Sequence, residues 1–225
     1  MLKALLVYKK EVNGFIHSYV GWRNSHPDST FLDITDKNLM MYFLYNHAVQ
    51  NDMMWRTVRK LKTGTKNVSI DKNEKKAITQ KLCDKIMDYI LHGTDKTFDE
   101  WHSEVCNWFL SEINNKLLAG KYHPFAYGKA QKAVNMTFKY LSTCDNADEY
   151  AERFQYCHMP LDSYILEWYY SEVKKNIRKS HRKTWSNLSE NEYFEIQNDI
   201  RAYLAQIGKI PFVEEWTIWN TYRQV

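Results

Sequence analysis

The sequence predicts an all-α protein, and three observations carry the prediction. Only 7 Gly and 4 Pro occur in 225 residues, which leaves few turns and favours long helices. Apolar residues recur at spacings of three and four through most of the chain. Helix-starting residues stand ahead of these stretches, and no hairpin dipeptide separates alternating runs; Asn13-Gly14 leaves room for one small N-terminal hairpin.

The elements follow in order. Asp36 caps a helix over LMMYFLYNHAVQNDMMWRTVRKL, and TGTKNVSID (63–71) reads as a loop. Asp71 opens NEKKAITQKLCDKIMDYILHG, with Ile78, Leu82, Ile86 and Ile90 on one stripe and Gly93 as its stop. Thr97 or Asp99 starts DEWHSEVCNWFLSEINNKLLAG, which Gly120 ends. The next helix lies within 128–141 and a short one covers 148–155. Asp162 introduces SYILEWYYSEVKKNIRK. Ser189 and Glu192 form a capping box ahead of ENEYFEIQNDIRAYLAQIG, and a last helix follows Pro211. No internal repeat or linker divides the chain, so 1–225 reads as a single domain, an arrangement that admits two helical lobes about a cleft.

The totals exclude several classes. With 44% apolar and 26% charged residues the chain can bury a core and is not a disordered one. No apolar run reaches the roughly 20 residues of a membrane span, and the N-terminal apolar segment is shorter than a signal-peptide core, so a cytoplasmic protein is expected. Cys83, Cys106, Cys144 and Cys157 are scattered without a C-x-x-C pair, so no zinc or iron–sulfur site is expected. No Gly-rich phosphate loop marks an NTPase or kinase. Asp95, Asp99, Glu100 and Glu104 with His102 could hold a nuclease metal, but read better as the charged first turn of a helix. Adjacent on an extended chain, Cys157 and His158 point to opposite sides and cannot easily cooperate as nucleophile and base. Two basic clusters, KKNIRKSHRK (174–183) and Arg56, Arg59, Lys60, Lys62 and Lys66, suit either a phosphate backbone or a solvated surface.

The segment FAYGKAQKAVNMTFKYL (125–141) carries the functional question. On a helix, Ala130, Val134, Thr137, Phe138 and Leu141 form the apolar face, and Gly128, Gln131, Lys132, Asn135 and Lys139 the opposite one. A tight connection, KYHPFAYG, joins it to the preceding helix. About thirty residues later HMPLDSYIL places Pro160 before Asp162, at the natural N-cap of the next helix.

QKAVNMTFKYL followed by HMPLDSYIL resembles the helix–hairpin–helix DNA glycosylases, and among them most closely the archaeal 8-oxoguanine branch, over residues 110–175. The resemblance implies a helix–hairpin–helix segment at about 103–141 and a monomeric enzyme with no cofactor and no metal. Its partner would be duplex DNA bearing a damaged or modified base. It implies that Lys132 is the Schiff-base nucleophile and Asp162 the carboxylate that stabilises the sugar cation, in DNA repair or in defence against foreign DNA. Lys121, His123, Tyr127, Gly128, Lys129, Gln131 and Lys139, with Lys174, Lys175, Arg178 and Lys179, would hold the backbone or support the site. His158, Trp216 and Trp219 are candidates to line a base pocket, with Trp22, Trp55 and Trp185 as further stacking surfaces. The hairpin departs from the family's glycine-rich form: it offers Gly128 alone, so side chains of Lys121, Tyr122, His123 and Tyr127 would replace backbone N–H contacts.

Apart from the resemblance, Asp162 is a common N-cap and Lys132 one of 31 Lys and Arg residues. Two other classes therefore stand beside the enzyme: a non-catalytic nucleic-acid-binding protein on the same fold, and a helical protein-interaction module using the 15% aromatic content.

Overall fold

Asp36 accepts a hydrogen bond from the Asn38 amide and starts α1 (Lys37–Tyr42), which widens into a π-helical run over Phe43–Asp52. The computed structural model describes residues 22, 31–53, 55, 60 and 70–223. The continuation of the first helix, the loop at 63–69, Asn13-Gly14, and Arg56, Arg59, Lys62 and Lys66 of the first basic cluster lie outside the described residues. Among those residues no strand forms; the only β contact is an isolated antiparallel bridge between Lys60 and Tyr122.

Asp71 caps α2 (Lys72–His92) through the Asn73 and Glu74 amides, and Gly93 at φ 74° ends it. Thr97 and Glu100 form the capping box of α3 (Phe98–Glu112), which continues as a π-helical turn over Ile113–Leu118. That run ends where Ala119 and Gly120 both take positive φ. α4 (Tyr127–Leu141) follows the short connection. A 3-10 turn at Ala147–Tyr150 leads into the single-turn α5 (Ala151–Phe154). α6 (Ser163–Trp168) passes into a π-helical turn at Tyr169–Val173. α7 (Glu190–Gln206) starts on the Ser189–Glu192 box, and α8 (Pro211–Arg223) on its proline. No described helix is long and apolar enough to cross a membrane.

Two expectations change. The helix after Asp162 does not reach residue 179: it ends at Val173, and Asn176 at φ 70° turns the chain, a conformation asparagine tolerates. The basic stretch is therefore an irregular segment with a 3-10 turn at Lys179–His181, not a helix end.

The second change concerns α4. Its spacing suggested two faces, yet every residue from Tyr127 to Leu141 is buried. The helix runs through the centre, packed on the π-helical run of α1, on α3, on α7 and on the 3-10 turn Trp185–Asn187. Phe138 meets the rings of Tyr89, Phe98, Trp101 and Phe154. Gly128 allows the closest approach: a Cβ there would lie 1.8 Å from the Trp185 carbonyl oxygen, while its own N–H donates to the Leu188 carbonyl at 3.0 Å. A helix buried all round must satisfy its polar side chains internally, and α4 does so.

Candidate active site

The segment ahead of α6 is fixed before Asp162 is reached. Gln197 Nε2 donates to the Met159 carbonyl at 2.7 Å. Gln131 holds both edges of Leu161, donating Nε2 to its carbonyl at 2.9 Å and accepting its amide on Oε1 at 3.3 Å. Asp162 then sits in extended backbone conformation as the N-cap, and Oδ1 accepts the Tyr164 and Ile165 amides, each at 3.0 Å.

The other oxygen faces α4 and α8. Lys132 Nζ donates to Asp162 Oδ2 at 2.9 Å, and Trp219 Nε1 donates to the same oxygen at 3.0 Å. Only 7% of the Lys132 side chain and 13% of the Asp162 side chain meet solvent. Burial raises the Asp162 carboxyl, but the Lys132 charge and the Ile165 amide outweigh it and hold the group below its ordinary value.

Two helical turns beyond Lys132, on the same face of α4, Lys139 Nζ lies 2.5 Å from Glu215 Oε2, with both side chains almost wholly buried. The rings of Trp216 and Trp219 cover that ammonium at 4.4 and 5.1 Å. Asp52, at the end of the α1 run, accepts Tyr140 Oη at 2.7 Å. Burial pushes Asp52 up to about 6, against the opposing charges of Lys132 and Lys139, and burial also raises Glu215. Two amines thus face three carboxyls, of which two favour the protonated form more than a free side chain does. Arg223 stacks on the outer side of Trp219 at 4.7 Å, and half-exposed Tyr164 meets its ring edge.

The remaining predicted residues divide plainly. Tyr127, Gly128, Lys129 and Gln131 are buried and committed to internal contacts, so phosphate contact is closed to them in this structure. Lys129 Nζ donates to the Met53 carbonyl at 3.0 Å and lies over the Phe125 and Trp185 rings. Lys139 is likewise spent inside. Lys121 and His123 are exposed on the connection before α4. Lys174 pairs with Glu195 and Asp199, and Lys175 lies 3.8 Å from Glu172, while Arg178 and Lys179 remain exposed. Neighbouring Arg182 and Lys183 pair with Glu167 and Glu192, so acids offset much of this basic cluster.

His158 does not reach the pair as a wall of a pocket. It bridges Tyr193 Oη and Asp99 Oδ1, each at 2.7 Å, and burial lowers its pKa. Trp216 is buried beneath Lys139, and Trp22 and Trp185 are buried elsewhere, whereas Trp55 is part-exposed under Lys75. Asp99 is spent on His158 and a bidentate contact with Arg201, and among the described residues no His, Cys, Asp and Glu group could hold a metal ion. The four cysteines are buried and unpaired with one another.

Sequence reasoning missed Asp52, Tyr140 and Glu215. The two adjacent glutamates in the aromatic-rich VEEWTIW were a usable signal for the last; nothing local marks the other two.

Comparison with models of protein families, with curated proteins and with solved structures finds no match to this chain.

Proposed function

We propose that the chain is a DNA glycosylase with an associated lyase step, acting on a damaged or modified base. The observation that supports this reading is the contact of Lys132 with Asp162 across thirty residues of sequence, at 2.9 Å and with little solvent access. Asp162, kept ionised, would stabilise positive charge at C1′ as the glycosidic C–N bond breaks and its electron pair leaves with the base. Lys132, once it has given up a proton, would attack C1′ through its lone pair. The new N–C1′ group would lose a proton, and the C1′–O4′ bond would then break, its electron pair and a proton going to O4′, to leave a protonated imine. Loss of a C2′ proton would then break the 3′ C–O bond, and water would release the enzyme. Trp219 is part-exposed, bonded to Asp162 and flanked by Tyr164 and Arg223, and a flipped base reaching the pair would have to displace it from Oδ2 or stack on it. Lys121, His123, Arg178 and Lys179 are the exposed groups left for the phosphate backbone.

The test is borohydride trapping on duplexes that each carry one lesion or modified base, with Lys132→Gln alongside. A covalent band that needs Lys132 supports the reading and names the substrate. Excision that survives Lys132→Gln removes the amine from the nucleophile role.

A second reading, a non-catalytic nucleic-acid-binding protein, draws on the same contact: Lys132 and Asp162 already satisfy each other, as a purely structural ion pair would. Salt-dependent DNA binding with no excision on any duplex, unchanged by Lys132→Gln, favours it.

A further inference from the structure

We infer that Gln131 is the positioning residue for Asp162, its amide locked in one orientation by a buried hydrogen-bond chain running to Asp99. The inference rests on the proposed role of the Lys132–Asp162 pair and adds the part that holds it in register.

The donors and acceptors can be assigned one by one. Asp99, bound by Arg201, only accepts, so His158 Nε2 carries the hydrogen toward it. Neutral His158 then accepts at Nδ1 from the Tyr193 hydroxyl at 2.7 Å. The Tyr193 oxygen accepts one Asn135 Nδ2 hydrogen at 2.9 Å, and Gln131 Oε1 takes the other at 2.9 Å. Asn135 Oδ1 is met by His102 Nε2 at 3.0 Å, and His102 Nδ1 lies 3.2 Å from the Tyr127 hydroxyl. Asn135 thus cannot flip, and it presents an N–H to Gln131.

Gln131 has two donors and two acceptor sites, and all four are used. Oε1 accepts from Asn135 and from the Leu161 amide; Nε2 donates to the Gly128 and Leu161 carbonyls, both at 2.9 Å. A flipped amide would set N–H against N–H on one side and oxygen against two carbonyls on the other. Gln131 neighbours Lys132 on α4, and Leu161 neighbours Asp162. One side chain therefore fixes the backbone on both sides of the pair, and Asp162 Oδ2 can meet the amine only while that clamp holds.

Gln131→Glu provides the test. One carboxyl oxygen can still accept from Asn135 and Leu161. The other must carry a proton, which it can donate to the Leu161 or the Gly128 carbonyl but not to both, so the clamp should hold through Leu161 at low pH and fail when the new group ionises. Trapping rates are compared with wild type at the same pH, which removes the titration of His102, His158, Tyr193, Asp99 and Asp52 that both proteins share. The expected result is a rate within about threefold of wild type at pH 5.5 and lower by about thirtyfold or more at pH 8, with DNA affinity unchanged at both. Equal loss at both values, or no loss at pH 8, overturns the inference.

Crystals of the same variant at the two pH values decide the matter without any substrate, should wild type trap no DNA and the glycosylase reading fall. The 2.9 Å Lys132–Asp162 contact should persist at pH 5.5 and be broken at pH 8. An intact contact at pH 8 overturns the clamp. So does unfolding confined to pH 8, because Gln131 would then maintain the fold and not the register.

Discussion

Lys139 and Glu215 form a buried ion pair, and breaking it from either end should give opposite pH dependences. Their 2.5 Å separation corresponds to about 6–7 kcal/mol of gross attraction at an effective dielectric near 20, much of which goes to offset the loss of hydration at both ions. Lys139→Met leaves a carboxylate with almost no access to water, and its escape is to take up a proton. Each pH unit above the ordinary glutamate value of 4.5 makes that uptake costlier by about 1.4 kcal/mol, so at pH 7 it costs about 3 kcal/mol. The neutral acid left behind is still poorly bonded, which brings the expected loss to about 3–5 kcal/mol. A carboxyl whose folded pKa lies above its unfolded one destabilises the fold as pH rises from the unfolded value toward the folded one, so the penalty should shrink to about 1–3 kcal/mol at pH 5.5.

Glu215→Gln leaves the reverse problem, a buried ammonium, and its penalty should grow as pH falls. The double variant Lys139→Met/Glu215→Leu removes both charges into a site already walled by Trp216 and Trp219, and should lie within about 2 kcal/mol of wild type. Urea unfolding followed by circular dichroism at pH 5.5, 7 and 8.5 measures all four proteins. If Lys139→Met costs less than about 1 kcal/mol and shows no pH dependence, water reaches the pair and the reasoning is wrong.

Three further outcomes are expected. Asp162→Asn keeps an acceptor for the Tyr164 and Ile165 amides but leaves Lys132 without its carboxylate; Asp162→Ala should lose about 1 kcal/mol more by calorimetry, the worth of the cap alone, and neither variant should yield trapped DNA. Gly128→Ala drives a methyl group into the Trp185 carbonyl, and denaturant unfolding should register a loss of at least about 3 kcal/mol or no folded protein. Asp52, raised to about 6, holds its proton more tightly folded than unfolded, so its ionisation weakens the fold as pH climbs from about 4 to 6. Asp52→Asn should therefore be nearly neutral at pH 4 and stabilising by about 3 kcal/mol at pH 8, and equal effects at both values would contradict the raised pKa.

The helix ends were legible because their signals are local. Asp36, Asp71, Thr97, Asp162 and Ser189 each cap a helix by bonding amides two or three residues on, and Gly93 stops one through its own backbone. The pairing of Lys132 with Asp162 was reachable only through a resemblance between two short motifs. The burial of α4 was not legible at all. Gln131, Asn135 and Lys139 carry the residue types of a wet face, and what keeps them dry is Leu161, Tyr193 and Glu215, set 30 to 76 positions away. The same blindness made 174–183 look more basic than it is, since Glu167, Glu192, Glu195 and Asp199 come from neighbouring segments.

Asp162 divides its carboxylate between two tasks. Oδ1 is anchored to two amides of the α6 backbone, while Oδ2 meets a buried lysine and an indole in α8. In a machine built on this pair the aspartate is the stator and the amine the moving part. On the proposed function, Lys132 would leave on its long side chain, attack and return, and the carboxylate it came back to would not have turned, because the oxygen that fixes its angle takes no part in the exchange.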